Sequence, residues 1–223
     1  MEQRVKILKE KIYKVCERAG RDPKEITIVA VTKTVGIERI EKAYQLGFRI
    51  FGENRVQEAR EKIPALSHLK DAEWHLIGHL QKNKVKYAVK LFQIIQSVDS
   101  ISLADEIEKR SEKQMNALIE VNTSGEIQKH GVLPDKALSL TEYVLKLEHI
   151  SLLGFMTVGP YPVEEKKSRR AFSLLRDIRD MAEREFGVKF PVLSMGMSED
   201  FEYAILEGST MVRIGRAIFG DRK

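Results

Sequence analysis

The sequence predicts an α/β fold, namely a closed (β/α)8 TIM barrel preceded by an extra N-terminal helix. Short apolar segments rich in β-branched residues recur eight times along the chain, and each is typical of a buried strand. Segments with helical spacing of apolar residues separate these strands, which indicates parallel pairing. No long Pro/Gly/Ser-rich linker divides the chain, so we expect residues 1–223 to form a single domain. An open, doubly wound sheet is the alternative, because alternation alone does not close a sheet.

The first predicted element is the extra helix, over residues 1–19. Its apolar side chains recur at helical spacing on an otherwise charged segment, at Val5, Leu8, Ile12, Val15 and Ala19. Gly20 is placed to end this helix, since glycine adopts the left-handed conformation common after a helix C-terminus.

The first predicted strand, over residues 26–34, carries a lysine near its end. Strand side chains alternate between faces, so Lys33 shares a face with Val29 and Val31. If that face is the barrel interior, the amine points inward and, partly desolvated, becomes a usable nucleophile or Schiff-base former. The alternative is a lysine that has left the strand for solvent.

The remaining predicted elements alternate in order. Strands are predicted over residues 48–51, 73–80, 91–98, 116–121, 150–158, 190–195 and 210–214. Helices are predicted over residues 36–46, 56–66, 81–90, 99–113, 134–147, 163–186 and 198–206. Gly187 is placed to end the longest of these helices.

Composition excludes several classes of protein. Hydrophobic residues make up 43% and charged residues 32%, and no apolar run approaches the ~20 residues of a membrane span. The N-terminus lacks a signal-peptide pattern and Cys16 is the only cysteine, so we expect a cytoplasmic protein without disulfides. The net charge is +5, but the basic stretches at 82–90 and 166–170 lack interleaved aromatics, so we expect no nucleic-acid binding.

The candidate site lies where the strands end, because barrel sites form at the C-terminal ends of the strands. Loops after strands seven and eight often bind phosphate in barrels. Here they offer hydroxyl groups and glycines that let backbone N–H groups approach an anion, at Ser194, Gly196, Ser198 and Gly215. By strand alternation, Arg213 shares a face with Gly215 and points to the same mouth.

An inward lysine, an inward arginine and a phosphate cradle fit one cofactor well, pyridoxal 5′-phosphate (PLP). PLP needs a Schiff-base lysine, a partner for its ring nitrogen and an anchor for its phosphate, and Lys33, Arg213 and the glycine-containing loops supply these. The glycines have the alternative of turn geometry alone. Arg213 has the alternative of an ion pair with a carboxylate such as Glu53.

Two histidines are candidate metal ligands by residue type. His75 and His79 have i, i+4 spacing, but their segment is predicted to be a strand and the sequence suggests no third ligand. We therefore expect structural histidines and no metal site. Met195 and Met197 are expected to pack or to contact a ring rather than to act as ligands.

Four segments carry a resemblance to a known family. They are Ala30-Val31-Thr32-Lys33-Thr34, the run Phe51-Gly52-Glu53-Asn54-Arg55 with Val56-Gln57-Glu58, the run Trp74-His75-Leu76-Ile77-Gly78-His79-Leu80-Gln81, and residues 193–219. In this order they resemble the pyridoxal phosphate homeostasis proteins, the YggS/PROSC family. The resemblance covers essentially the whole chain, and several long motifs are more specific than any single short pattern.

The resemblance implies a fold-type III barrel, similar to the N-terminal domain of alanine racemase, that binds PLP as an aldimine on Lys33. It assigns Ser194, Gly196, Ser198 and Gly215 to the phosphate, Arg213 to the pyridine nitrogen, and Asn54 and His79 to the side of the ring. It also implies a role in cofactor supply and amino-acid balance, with PLP-dependent apoenzymes as possible partners.

The same resemblance implies cofactor handling without an established catalytic turnover. Racemases of this fold add a β-domain that supplies a catalytic tyrosine, and the sequence reaches only Lys223, so we expect a monomer without that domain. A cation at the ring nitrogen also weakens the ring as an electron sink. We expect a protein that holds and releases PLP. A PLP-dependent racemase or lyase of narrow scope, and a phosphate-ester barrel enzyme, are the alternatives.

Overall fold

The computed structural model describes residues 1–221, which fold into a barrel of parallel strands surrounded by helices. The strands are β1 (Thr27–Val31), β2 (Ile50–Glu53), β3 (Glu73–Leu76), β4 (Ile94–Val98), β5 (Met115–Glu120), β6 (Ile150–Met156), β7 (Val192–Ser194) and β8 (Met211–Ile214). The helices are α1 (Glu2–Ala19), α2 (Ile37–Gln45), α3 (Val56–Ala65), α4 (Val85–Leu91), α5 (Ile101–Arg110), α6 (Ala137–Val144), α7 (Glu165–Phe186), α8 (Phe201–Leu206) and α9 (Arg216–Phe219).

The barrel closes in chain order. Each strand pairs in parallel with the next, and β8 returns to β1, where Ala30 lies opposite Ile214 and Thr27 opposite Met211. The predicted (β/α)8 barrel is therefore confirmed, and the open sheet is wrong. Closure also brings the C-terminal ends of all eight strands to one mouth.

The packing has two layers. The main hydrophobic core lies between the strands and the helices, whereas a small second cluster of Ile94, Leu118 and Met156 is separate from it. Buried polar side chains bond one another across the barrel interior, as Gln96 of β4 does with Ser194 of β7. Buried polar groups need hydrogen-bond partners, so this interior fixes side-chain geometry.

The extra helix α1 buries the face that the sequence predicts. Val5, Leu8, Ile12 and Val15 are buried, and α1 packs against α8 and α9. Burial of each such aliphatic side chain contributes about 1.5–3 kcal/mol relative to exposure. The helix ends at Gly20, whose φ of 65° is left-handed, as predicted.

Several strands end earlier than predicted. β1 ends at Val31 rather than at residue 34, and a turn follows in which Thr34 has a φ of 60°. β3 ends at Leu76 rather than at residue 80. Beyond it the backbone at Gly78 packs so closely on Asn54 that an added Cβ would lie 2.4 Å from the Asn54 carbonyl oxygen. The segment therefore leaves the sheet to pack on a neighbouring loop.

Within the described part of the chain, we find no helix that combines the length and the apolar character needed to cross a membrane.

Candidate functional site

A cavity of about 540 Å³ opens at the C-terminal ends of the strands. Five of the eight predicted site residues line it, namely Lys33, Asn54, Ser198, Arg213 and Gly215. They come from the loops after β1, β2 and β7, from β8 itself, and from the residue that follows β8. The barrel thus gathers at one mouth residues that lie up to 182 positions apart, between Lys33 and Gly215.

Lys33 lies two residues beyond the end of β1, and it is half-buried. It was predicted inside the strand, and that placement is wrong. Its predicted direction agrees with the structure, because Val31 and Lys33 line the same cavity. The extended alternation therefore continues into the turn far enough to aim the side chain at the barrel mouth.

Hydrogen bonds hold the turn around Lys33 on both sides. The Thr34 N–H donates to Glu58 Oε1 at 2.6 Å, and Lys62 Nζ donates to the Thr32 carbonyl oxygen at 2.7 Å. Lys62 also bonds Glu58, which joins the two contacts. The first turns of α3 therefore brace the backbone before and after Lys33.

Glu53 pairs with Lys62 and not with Arg213. Lys62 Nζ lies 3.0 Å from Glu53 Oε1, which also accepts a hydrogen bond from Thr32 Oγ1 at 2.6 Å. Burial raises the pKa of Glu53, and the bonds from Thr32 and Lys62 oppose that rise. The suggested Glu53–Arg213 ion pair is therefore wrong, because Glu53 pairs with the lysine of α3 and the Arg213 guanidinium bonds Ser194 and Thr157.

Arg213 is a cation held fixed below the mouth. Its guanidinium donates to the Ser194 carbonyl oxygen at 2.7 Å, to Ser194 Oγ at 2.8 Å and to the Thr157 carbonyl oxygen at 2.7 Å. Burial lowers the pKa of Arg213 to about 10, although the nearby Glu120 and Asp200 act in the opposite direction. The side chain remains charged at neutral pH, so the cavity has a permanent positive group.

Ser194 accepts hydrogen bonds from Arg213 and is not among the residues that line the cavity. Its hydroxyl is fully buried, and it donates to Gln96 Oε1 at 2.6 Å while accepting from Arg213. Gln96 Nε2 lies 2.9 Å from His75 Nδ1, and His75 Nε2 lies 3.2 Å from Glu73 Oε1. These contacts form an interior relay from Glu73 to Arg213. Ser194 is predicted to offer its hydroxyl to the phosphate; in this structure Gln96 and Arg213 engage that hydroxyl, and Ser194 is not among the residues that line the cavity.

The loops after β7 and β8 are tied together at the candidate phosphate side. Ser198 Oγ accepts a hydrogen bond from the Ala217 N–H at 3.2 Å, and Ser198 and Gly215 both line the cavity. Accepting that bond leaves the Ser198 hydroxyl proton able to donate to an anion. The carboxylate of Asp200 accepts from the Met197 N–H at 2.5 Å and so shapes the same loop.

Gly196 shapes this loop from beneath. It is buried, its φ is +97°, and an added Cβ would lie 2.6 Å from the Ala204 Cβ and 2.9 Å from the Phe201 Cα. Only glycine fits both the backbone conformation and the contact with α8. Gly196 therefore sets the course of the loop and does not itself line the cavity wall.

His79 lies outside the Lys33 cavity. It lines a neighbouring cavity of about 560 Å³, together with His130 and Asn54, and Asn54 is shared by both cavities. His79 is exposed, whereas His75 is buried and hydrogen-bonded in the interior relay. The structure therefore brings Asn54, but not His79, to the cavity that contains the lysine.

Sequence reasoning missed Glu120. This carboxyl group at the end of β5 is 6% exposed and interacts electrostatically with Arg213 and Asp99. Burial raises the pKa of Glu120 to about 7, more than the attraction of Arg213 lowers it. A single acidic residue between Ile119 and Val121 of an apolar strand was the available signal.

Together these groups fit PLP chemically. The Lys33 amine, the fixed Arg213 cation, the Ser198 hydroxyl and Gly215 face one cavity, and PLP carries an aldehyde, a ring and a phosphate. The residues present could therefore hold that cofactor.

Comparison with known proteins points to the same chemistry. The family model of the alanine racemase N-terminal domain matches residues 5–223. A pyridoxal phosphate homeostasis protein of Aquifex aeolicus is 47% identical over 99% of this chain and 98% of its own length. The chain belongs to the pyridoxal phosphate homeostasis protein family. The human member is 36% identical over 98% of this chain and 85% of its own length.

Solved structures agree with this family. PipY of Synechococcus elongatus, solved with PLP bound, superposes with a TM-score of 0.83 at 29% identity, and covers 94% of this chain and 100% of PipY. The alanine racemase of Corynebacterium glutamicum superposes with a TM-score of 0.72 at 18% identity, over 96% of this chain and 60% of the racemase. At that identity the likeness to the racemase concerns the fold alone.

Proposed function

We propose that this protein binds PLP in the Lys33 cavity and takes part in intracellular PLP homeostasis by holding and releasing the cofactor. The observation that carries the proposal is the convergence of Lys33, Arg213, Ser198 and Gly215 on one cavity. Membership of a family named for PLP homeostasis, and the PLP-bound structure of PipY, support it.

Each residue has a distinct role in this proposal. Lys33 forms the covalent bond, and Ser198 and Gly215 contact the phosphate. Arg213 faces the ring nitrogen, and Asn54 lies at the side of the ring. Gly196 and Ser194 act indirectly, since they shape the phosphate loop and fix Arg213. His79 has no role beside the ring in this proposal, because it lines the neighbouring cavity.

Holding the cofactor fits this site better than turnover. PLP supplies an electron-withdrawing ring, and protonation of the ring nitrogen strengthens that property. Arg213 is fixed and charged, so it disfavours a second positive charge beside it. A PLP-dependent racemase or lyase of narrow scope is the alternative.

The wider context is also part of the proposal. We propose a single-domain monomer that acts in the cytoplasm and gives PLP to apoenzymes. The closed barrel with its continuous outer core supports the single domain. Gel filtration with light scattering tests the monomer, and PLP transfer to a purified PLP-dependent apoenzyme tests the delivery.

The first experiment is the visible absorbance spectrum of the purified protein, with and without added PLP. We expect an imine band in the wild type and in Lys113→Ala, an exposed control lysine, and no band in Lys33→Ala. Borohydride reduction and peptide mapping then locate the bond. Attachment at Lys129, which also lines the cavity, would overturn the choice of lysine. Absence of a band with excess PLP would overturn the proposal.

A second measurement separates holding from turnover. The α-proton of a panel of amino acids is monitored by NMR in D₂O with the PLP-loaded protein. We expect no exchange above that of free PLP. Exchange that is lost in Lys33→Ala would favour the racemase or lyase alternative.

A further inference from the structure

A second cluster of ligand-type side chains lies beside the Lys33 cavity. His79 follows β3, Asp99 follows β4, and His130 lies in the loop between β5 and α6. One ligand atom from each residue lies within 4.8 Å of the others. His79 Nδ1 is 3.4 Å from Asp99 Oδ2, and the two imidazole rings stack with centroids 4.0 Å apart. Three successive loops therefore converge on one point.

This cluster differs from the other histidine–carboxylate contacts. His68 contacts Glu41 at 2.9 Å, and His149 contacts Glu108 at 2.9 Å, each as a pair. Within residues 1–221, His79, Asp99 and His130 are the one group of three or more histidine, cysteine, aspartate or glutamate residues placed so that they could hold a metal ion. Two imidazoles and one carboxylate form a donor set that suits zinc and related ions, with a fourth position left for water.

We propose that His79, Asp99 and His130 bind a divalent transition-metal ion of the zinc class. This third ligand was not visible in the sequence, because His130 lies 51 positions beyond His79 and in a different loop. The barrel supplies it by placing the loops after β3, β4 and β5 side by side.

The surrounding charges determine which ions this site takes. Arg55 and Lys84 line the same cavity. Their positive charges repel a cation, so an ion bound only by electrostatic attraction is disfavoured here. Neutral imidazole nitrogens bind zinc-class ions through coordinate bonds, whereas magnesium prefers oxygen ligands. The site therefore selects zinc, cobalt, nickel or copper over magnesium.

Binding requires a small rearrangement. The rings of His79 and His130 lie 10° from parallel, so one ring must turn for both nitrogen lone pairs to meet one ion. Both histidines are exposed, and the turn is a rotation about a side-chain bond. His79 and His130 line the neighbouring cavity and not the Lys33 cavity, so the metal site is separate from the proposed cofactor lysine.

The test is equilibrium dialysis of the full-length protein against Zn²⁺, followed by metal analysis and a titration for the dissociation constant. We expect one ion per chain in the wild type and in His149→Ala, the matched control. His130→Ala removes a direct ligand, and Asp99→Asn replaces a carboxylate with a neutral, weaker amide oxygen. Each should bind Zn²⁺ at least about tenfold more weakly, since even loss of an outer partner of a ligand costs about 10–100-fold. Mg²⁺ should not compete. The Co²⁺-loaded wild type should show the strong visible d–d absorption of four-coordinate Co²⁺. This absorption should be absent in His130→Ala.

Two outcomes would overturn the metal site. One is a wild type that retains no Zn²⁺, and the other is retention that is equal in His130→Ala, Asp99→Asn and the wild type. Circular dichroism and urea unfolding of each variant show that it is folded. Because the readout is bound metal, it stands or falls independently of PLP binding.

Discussion

Lys62 Nζ lies 3.0 Å from the buried Glu53 Oε1, directly beneath the turn that carries Lys33. The same amine donates to the Thr32 carbonyl oxygen at 2.7 Å. Glu53 is fully buried and Lys62 is 9% exposed. A buried pair of this kind adds little net stability, but it fixes the geometry of whatever it contacts. Here it contacts the residue immediately before the proposed cofactor lysine.

Replacement of Lys62 by methionine should destabilise the protein strongly. The variant leaves Glu53 buried without its partner, which typically costs about 3 kcal/mol or more. Urea unfolding at neutral pH measures the loss. The double variant Lys62→Met/Glu53→Gln should recover part of it, because the amide carries no charge. A Lys62→Met protein as stable as the wild type would show that the buried Glu53 carboxyl does not depend on the Lys62 amine.

Ser194 and Ser198 should give opposite phenotypes. Ser194→Ala leaves Gln96 and Arg213 short of a buried partner, so the free energy of unfolding should fall by about 1–3 kcal/mol. Ser198→Ala should change stability little but weaken PLP binding by about tenfold, the value of one hydrogen bond to a charged group. Urea unfolding and PLP titration of both variants check this. Equal effects of the two variants on PLP affinity would contradict the assignment.

Glu120 should make stability fall as the pH rises. Burial raises the pKa of Glu120 to about 7 in the folded protein from its ordinary value of 4.5, so the folded state binds more protons between these two pH values. The stabilisation is complete below about pH 4.5 and is lost as the pH rises through about 7, with a total of about 3 kcal/mol. The Glu120→Gln variant lacks the titratable carboxyl group, so its stability should not show this dependence on pH.

The PLP-free wild type and Glu120→Gln should therefore diverge with pH. Urea unfolding at about pH 5, 7 and 8.5 should show the variant gaining on the wild type as the pH rises. Glu126→Gln, in which the replaced carboxylate has a lowered pKa, is the control for an unrelated acidic residue. A constant difference between wild type and Glu120→Gln across this range would mean that Glu120 is ionised throughout.

The helix ends and the number of strands could be predicted because their signals are local. Gly20 and Gly187 were both predicted to end helices, and both adopt a left-handed conformation, with φ of 65° and 66°. A glycine at that position reports a backbone requirement that does not depend on distant residues. The eight strands likewise appear as apolar runs that alternate with helical periodicity.

The interior relay could not be predicted, because its contacts depend on strand register. Gln96 and Ser194 are 98 positions apart and meet only when the barrel closes. From the sequence, Ser194 is therefore assigned to the phosphate site beside the glycines, and its hydrogen bond with Arg213 could not be predicted. His130 was missed for the same reason, since its proximity to His79 arises from the packing of two loops.

Gly196→Ala should weaken PLP binding, whereas the same substitution at a glycine without close neighbours should not. The added methyl group meets Ala204 and the Phe201 backbone of α8 at less than 3 Å, so the loop that carries Ser198 must move. Gly187→Ala is the matched control: its φ of +66° is also left-handed, but nothing lies within 4 Å of the added Cβ. The control should lose about 1 kcal/mol of stability and no PLP affinity. In Gly196→Ala the PLP affinity should fall by at least about tenfold, because displacement of the loop removes its contact with the phosphate. Unchanged affinity in Gly196→Ala would place the phosphate elsewhere in the cavity.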